Sequence, residues 1–145
     1  IINMSEISLV KAKEIITNIF EEGRQANMQP LTVVVLDTGG NLKAFERSDG
    51  ASAGRFEVAD GKAHAAIMMG IPSSAIMKRA EQQAYFVTAL SVSFKGRFTP
   101  VSGGVLLTDD QNKIIGAVGV TGDTSENDTI AAVAGIKAAG LNVIS

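Results

Sequence analysis

The sequence predicts an α+β fold: an antiparallel sheet of four to five strands flanked by helices. Three observations carry this. The run Thr32–Leu36 is uninterruptedly apolar and β-branched, as in a strand buried on both faces. Two strand pairs are each joined by a turn-forming stretch, Thr38-Gly39-Gly40-Asn41 and Asp109-Asp110-Gln111-Asn112. Segments with helical periodicity lie before, between and after those pairs. Hairpins give antiparallel neighbours, so a doubly wound parallel sheet is not expected.

Taken in order, Leu9 to about Asn27 carries Leu9, Ala12, Ile16, Ile19 and Gly23 at helical spacing, with Ser8 as N-cap. Gln29-Pro30 then imposes extended backbone before the central strand. Its partner alternates: Leu42, Ala44 and Glu46 share one face, Lys43, Phe45 and Arg47 the other. Ser48 to Gly54 reads as a turn-rich loop. Phe56 to about Met69 reads as an alanine-rich helix whose face of Ala59, Ala63 and Ala66 suits close approach to another backbone, either the sheet or a symmetry mate. Gly70-Ile71-Pro72 ends it. Ser73 can cap a further helix, from Ser74 to about Phe86. Leu90, Val92 and Phe94 alternate with polar residues and suit a short edge strand. The second hairpin pairs Val105–Thr108 with Ile114–Val120. A last helix starts near Ser125, with Ser125 and Asp128 at capping-box spacing, and ends at Gly140.

At 145 residues, 46% hydrophobic and 19% charged, the chain suits one domain over residues 1–145. The net charge of -2, without a long basic run, argues against nucleic acid as a partner. No cysteine is present, which excludes disulfides, thiolate metal sites and a cysteine nucleophile. The N-terminus lacks the basic and apolar regions of a signal peptide, and no apolar run reaches membrane-spanning length. These features predict a cytoplasmic protein with no membrane partner. Met4 reads as the natural start, with residues 1–3 an added remnant.

The first hairpin with Phe45-Glu46-Arg47-Ser48-Asp49-Gly50-Ala51, and the later Gly103-Gly104 and Ile114–Gly122 signals, resemble in their order the GlcG/HbpS-like family. That family includes haem-binding proteins and domains attached to corrinoid adenosyltransferases. The resemblance covers nearly the whole chain. It implies a profilin-like antiparallel sheet and a tetrapyrrole, haem first, as ligand. Ser48 departs from it, standing where the family's stretch usually has Met.

His64 is the sole histidine. Asp60 and Glu57 precede it by four and seven residues, on one helical face. Three readings stay open: an axial haem ligand, a divalent metal held by Glu57, Asp60 and His64, or an Asp60–His64 ion pair with no ligand. Lys62 sits in a segment like the family's recurrent Lys-Ala pair. It can reach a ligand carboxylate such as a propionate, or snorkel at the surface. Arg47 suits two-pronged binding of a carboxylate, or a salt bridge to Asp49. Gly103, Gly104, Thr121 and Gly122 flank the late hairpin, where they either let backbone amides approach a ligand or serve turn geometry. Asp123, Glu126 and Asp128 around that helix start argue against a phosphate there. No P-loop, dinucleotide fingerprint or nucleophile elbow is present.

The expected function is a haem-binding protein acting as a homo-oligomer. Phe56, Phe98, Met68 and Met69 offer apolar surface, His64 an iron ligand, and Lys62, Arg47 and Arg97 cations for propionates. The rival is an enzyme or accessory protein for a small organic acid or aldehyde, with Arg47 or Lys62 on the carboxylate and His64 or Asp37 as general base.

Overall fold

The computed structural model describes residues 5–145, so Met4 and the residues before it lie outside the described part. Five antiparallel strands form one sheet in the order β2-β1-β4-β3-β5. They are β1 (Thr32–Leu36), β2 (Leu42–Arg47), β3 (Gly104–Thr108), β4 (Ile114–Thr121) and β5 (Asn142–Ile144). As expected, β1 lies inside the sheet, between β2 and β4. Every one of its residues is buried, because helices cover both faces.

Alternation along β1 divides the core. Val33 and Val35 point to the layer of α1 (Leu9–Gln25) and α5 (Ser125–Ala138), against Ile15, Ile16, Ile19 and Ile136. Val34 and Leu36 point to α2 (Arg55–Met69). Beyond α2, a third cluster joins it to α3 (Ser73–Gln82) and α4 (Ala84–Ser93) through Ala65, Ile76, Val87 and Phe98.

The Ala59/Ala63/Ala66 face lies on the sheet rather than on a symmetry mate, and all three residues are fully buried within one chain. The contact is backbone on backbone. A Cβ at Gly119 of β4 would collide with the Ala59 carbonyl oxygen. Glycine is required there for lack of space, and the helix's small residues supply the other half of the fit.

Several boundaries differ from expectation. Leu90, Val92 and Phe94 lie in or just after a helix. Val87, Leu90 and Phe94 recur at helical spacing and join the cluster around Phe98, while Val92 is 77% exposed. The fifth strand is instead β5, on the far side of β3. The helix expected from Ser74 to Phe86 is broken at Gln83, whose φ of -137° is not helical, giving α3 and α4. Ser73 does not cap α3: its hydroxyl accepts from Gly104 N at 2.7 Å, and Pro72 is the N-cap. At α5 the N-cap is Thr124, which accepts from Asn127 N at 3.1 Å, so Ser125 and Asp128 form no capping box. Leu9, expected on the inner face of α1, is 51% exposed, and Ile15 takes that role. Ser8 does cap α1.

Candidate functional site

His64 sits in the third turn of α2 and is only 8% exposed. Its Nδ1 lies 2.7 Å from the Arg97 carbonyl oxygen. A carbonyl only accepts, so Nδ1 carries the proton and donates, and Nε2 keeps its lone pair. Nε2 has no hydrogen-bond partner among the described residues. It faces the β1–β2 turn, where a Cβ on Gly40 would lie 3.4 Å from it. The Met68 methyl borders the same spot, and the Phe94 ring meets the imidazole edge-on with centroids 5.8 Å apart. Burial pushes the His64 pKa below its ordinary value, and the Arg97 guanidinium works in the same direction. The Arg97 carbonyl and Asp60 oppose them. The ring is therefore neutral at pH 7, with an available Nε2.

Asp60 does not pair with His64. Arg97 takes both its oxygens, Nε and Nη2 each donating at 2.8 Å, and Nη2 also donates to the Gly40 carbonyl at 3.1 Å. The Asp60–His64 ion pair, one of the readings the sequence left open, is therefore not formed. The Arg97 backbone orients the ring, and the Arg97 side chain fixes the loop facing it. Nor do Glu57, Asp60 and His64 form a metal site: no three such side chains converge to hold a metal ion among the described residues.

Lys62 points elsewhere, and it neither snorkels at the surface nor reaches outward. It is 2% exposed and donates to the Val120 carbonyl at 2.9 Å and to Asp128 Oδ2 at 3.1 Å. Burial lowers its pKa and raises that of Asp128, while their mutual attraction opposes both shifts. Gly103 and Gly104 pack against Lys62, with Gly104 directly under its backbone carbonyl. Their lack of side chains serves packing around Lys62.

The remaining expected residues gather at the other end of α2. Arg47 Nη1 donates to the Ala51 carbonyl at 2.7 Å and makes no ion pair with Asp49. Phe56 meets Phe45 edge-to-face at 4.7 Å. Thr121 Oγ1 accepts from Arg55 Nη1 at 2.8 Å, and Gly122 abuts the Pro30 carbonyl. Phe98 stays with His64, stacked on Phe94 at 5.7 Å. His64 and Arg55 are nine residues apart on one helix, about 13 Å along its axis. The expected ligand shell thus divides into three groups: His64 with Phe98, Lys62 with Gly103 and Gly104, and Arg47 with Phe56, Thr121 and Gly122.

Sequence reasoning missed three residues. Gly40 read only as a turn residue. Asp128 read as a first-turn acid rather than a counter-ion. Arg55 carried a signal that went unused: it is a cation at a helix N-terminus, where the helix dipole disfavours it.

No curated protein matches the sequence at a significant level. Solved structures do share its fold. PduOC, solved as a complex with haem, is 22% identical, with a TM-score of 0.84 over 97% of this chain and 99% of that one. The Klebsiella pneumoniae protein ORFY is 24% identical, with a TM-score of 0.82 over 92% and 90%. A double mutant of Streptomyces reticuli HbpS is 24% identical, with a TM-score of 0.78 over 95% and 90%. No helix among the described residues is long and apolar enough to cross a membrane. Residues 7–137 match the family described as haem degrading protein HbpS-like, and the chain belongs to that family.

Proposed function

We propose that this protein binds haem and that His64 Nε2 is its iron ligand. The observation that carries the reading is the state of one nitrogen. Nε2 is neutral, has no hydrogen-bond partner among the described residues, and is aimed at a glycine, while Nδ1 is anchored to a backbone carbonyl. That is how proteins prepare a metal-binding imidazole. The family description and the haem complex of PduOC supply the ligand class. The donor set fits: an imidazole for iron, with a flexible thioether at Met68 and the Phe94 ring as apolar walls. When bound, haem supplies the redox-active iron. The chain's own contribution is to hold the ring neutral and oriented, with the Nε2 lone pair available.

Propionate binding is assigned differently from the sequence expectation. Lys62 is sealed against Asp128, and Arg47 stands at the far end of α2. Arg97, with its side chain 43% exposed, is the cation beside His64. Homo-oligomerisation is part of the proposal, but it no longer draws on Ala59, Ala63 and Ala66. Its support is the exposed apolar surface of α4, where Tyr85 is 74% and Val92 77% exposed.

The test is a haem titration followed at the Soret band, with native protein and His64→Ala, alongside native mass spectrometry of both. The expected result is a saturable shift in the native protein and at least about tenfold weaker binding in the variant. Equal binding by the two would remove His64 as ligand. No binding by either would overturn the haem reading.

A further inference from the structure

We propose that Arg97 is a latch: it closes the β1–β2 turn over His64 Nε2 and opens it for a ligand that carries a free carboxylate. This rests on the reading of His64 as the haem ligand and gives that site a residue that selects what enters. The Nε2 lone pair is unpaired but covered. Gly40 is buried although it lies in the turn, between the exposed Gly39 and Asn41. A Cβ there would stand 2.5 Å from the Met68 methyl and 3.4 Å from Nε2. That space admits no macrocycle, so the turn has to move before the nitrogen can be reached.

The turn is built to move as one body. Asp37 Oδ1 accepts from Gly39 N at 3.0 Å and from Asn41 N at 2.9 Å, and Gly40 N donates to the Asp37 carbonyl at 3.0 Å. All three bonds stay inside the turn. The β1–β2 register shifts between Val35 and Leu36, so the ladder is irregular just before the turn, where a hinge can form. β2 is an edge strand and largely exposed, so it offers the motion little resistance.

Two side chains from elsewhere tie the turn down. Glu6 accepts from Thr38 N at 3.0 Å and from Thr38 Oγ1. Arg97 Nη2 donates to the Gly40 carbonyl at 3.1 Å, and this tie holds the end over Nε2. Nη2 carries two hydrogens. Asp60 takes one, at 2.8 Å, and binds Nε with its other oxygen, also at 2.8 Å. Gly40 takes the second. A further carboxylate can bind the guanidinium in two-pronged fashion only across Nη1 and Nη2, so it must take the hydrogen that Gly40 holds. A carboxylate is the stronger acceptor, by about twofold for a charge-assisted bond. Asp60 keeps the guanidinium in place during the exchange. Arg97, its side chain 43% exposed, can meet the incoming group from solvent. The ligand selected is a tetrapyrrole with free carboxylate side chains rather than its ester.

The test reads access to Nε2 with and without haem. Diethyl pyrocarbonate ethoxycarbonylates histidine, and this chain has one. The reaction is followed by ultraviolet absorbance at neutral pH and reversed with hydroxylamine. Arg97→Lys keeps a cation for Asp60 but cannot span Asp60 and Gly40. The variant should react about tenfold faster than the native protein, the effect of losing one hydrogen bond from a charged group. Equal rates would overturn the latch. The second arm uses the native protein and serves if the variant does not fold. Haem and haem dimethyl ester are titrated at the Soret band, and haem should bind at least about tenfold more tightly. Equal affinities would overturn the carboxylate trigger, as would an undiminished preference in Arg97→Lys. Faster modification of the variant, with no haem bound by either protein, would support the latch and remove haem as the ligand.

Discussion

Asp128→Ala probes the buried charge pair that ties α2 to α5, and its consequence can be worked from the structure. The substitution removes the Lys62 counter-ion at 3.1 Å and the acceptor for Asp123 N at 2.9 Å. It leaves an ammonium group whose one remaining partner is the Val120 carbonyl. Stranding a buried charge costs about 3–5 kcal/mol. An upper limit comes from titration. Lysine can shed its proton instead, and from an ordinary pKa of about 10.4 that costs roughly 3.4 units at pH 7, or about 4.6 kcal/mol. The neutral amine can still donate to Val120. The lost acceptor for Asp123 N adds about 1 kcal/mol. The sum is a large share of a typical stability of about 5–15 kcal/mol.

The pH dependence identifies the cause. Without Asp128 the folded chain binds fewer protons than the unfolded one between pH 7 and about 10.4, so its stability rises with pH in that window. Relative to the native protein, the deficit should shrink by up to about 1.4 kcal/mol per unit. Urea unfolding at pH 7, 8 and 9 measures this. The double variant Lys62→Met with Asp128→Leu should recover most of the loss. A deficit under about 1 kcal/mol that does not change with pH would refute the burial of Lys62 beside Asp128.

Four further outcomes are expected. The depressed His64 pKa means the unfolded chain protonates first on acidification. The stability contribution of His64 should be intact above about pH 6.5 and decline between there and its lower folded pKa. Haem affinity should persist below pH 6.5 for the same reason, and a loss starting above it would contradict a depressed pKa. Ala63→Glu buries an unpaired carboxylate against the sheet, so circular dichroism should show unfolding rather than a folded, dissociated subunit. Gly119→Ala should destabilise by about 3 kcal/mol or more in urea, because the new Cβ meets the rigid Ala59 carbonyl. A change below about 1 kcal/mol would mean that α2 can move off the sheet.

Local pattern was enough for what depends on neighbours in the chain. β1 to β4 were legible because apolar β-branched runs, strand alternation and turn-forming stretches are written within ten residues. The N-cap of α1 was legible for the same reason. The α4 segment misled because Leu90, Val92 and Phe94 satisfy a two-residue period as readily as Val87, Leu90 and Phe94 satisfy a helical one. Only packing against Phe98 and Ile76 chooses between them.

The site divided along the same line. His64 stood out as the one imidazole, and the family resemblance of the chain was already visible in its turn motifs. Its partner was not visible. The i,i+4 spacing made Asp60 the natural choice, yet Arg97, distant in sequence, captures both oxygens of that carboxylate and orients the ring through its backbone. Lys62 and Arg47 looked like two cations for one ligand. Helical geometry turns Lys62 inward, and strand register carries Arg47 to the opposite end of α2. Sequence by itself therefore determined the two hairpins, the helices α1, α2 and α5 with shifted ends, and the residue types with chemistry to offer. Tertiary structure alone decided which of them meet, because hydrogen-bond partners are chosen by distance in space, and residues dozens of positions apart compete on equal terms with those one helical turn away.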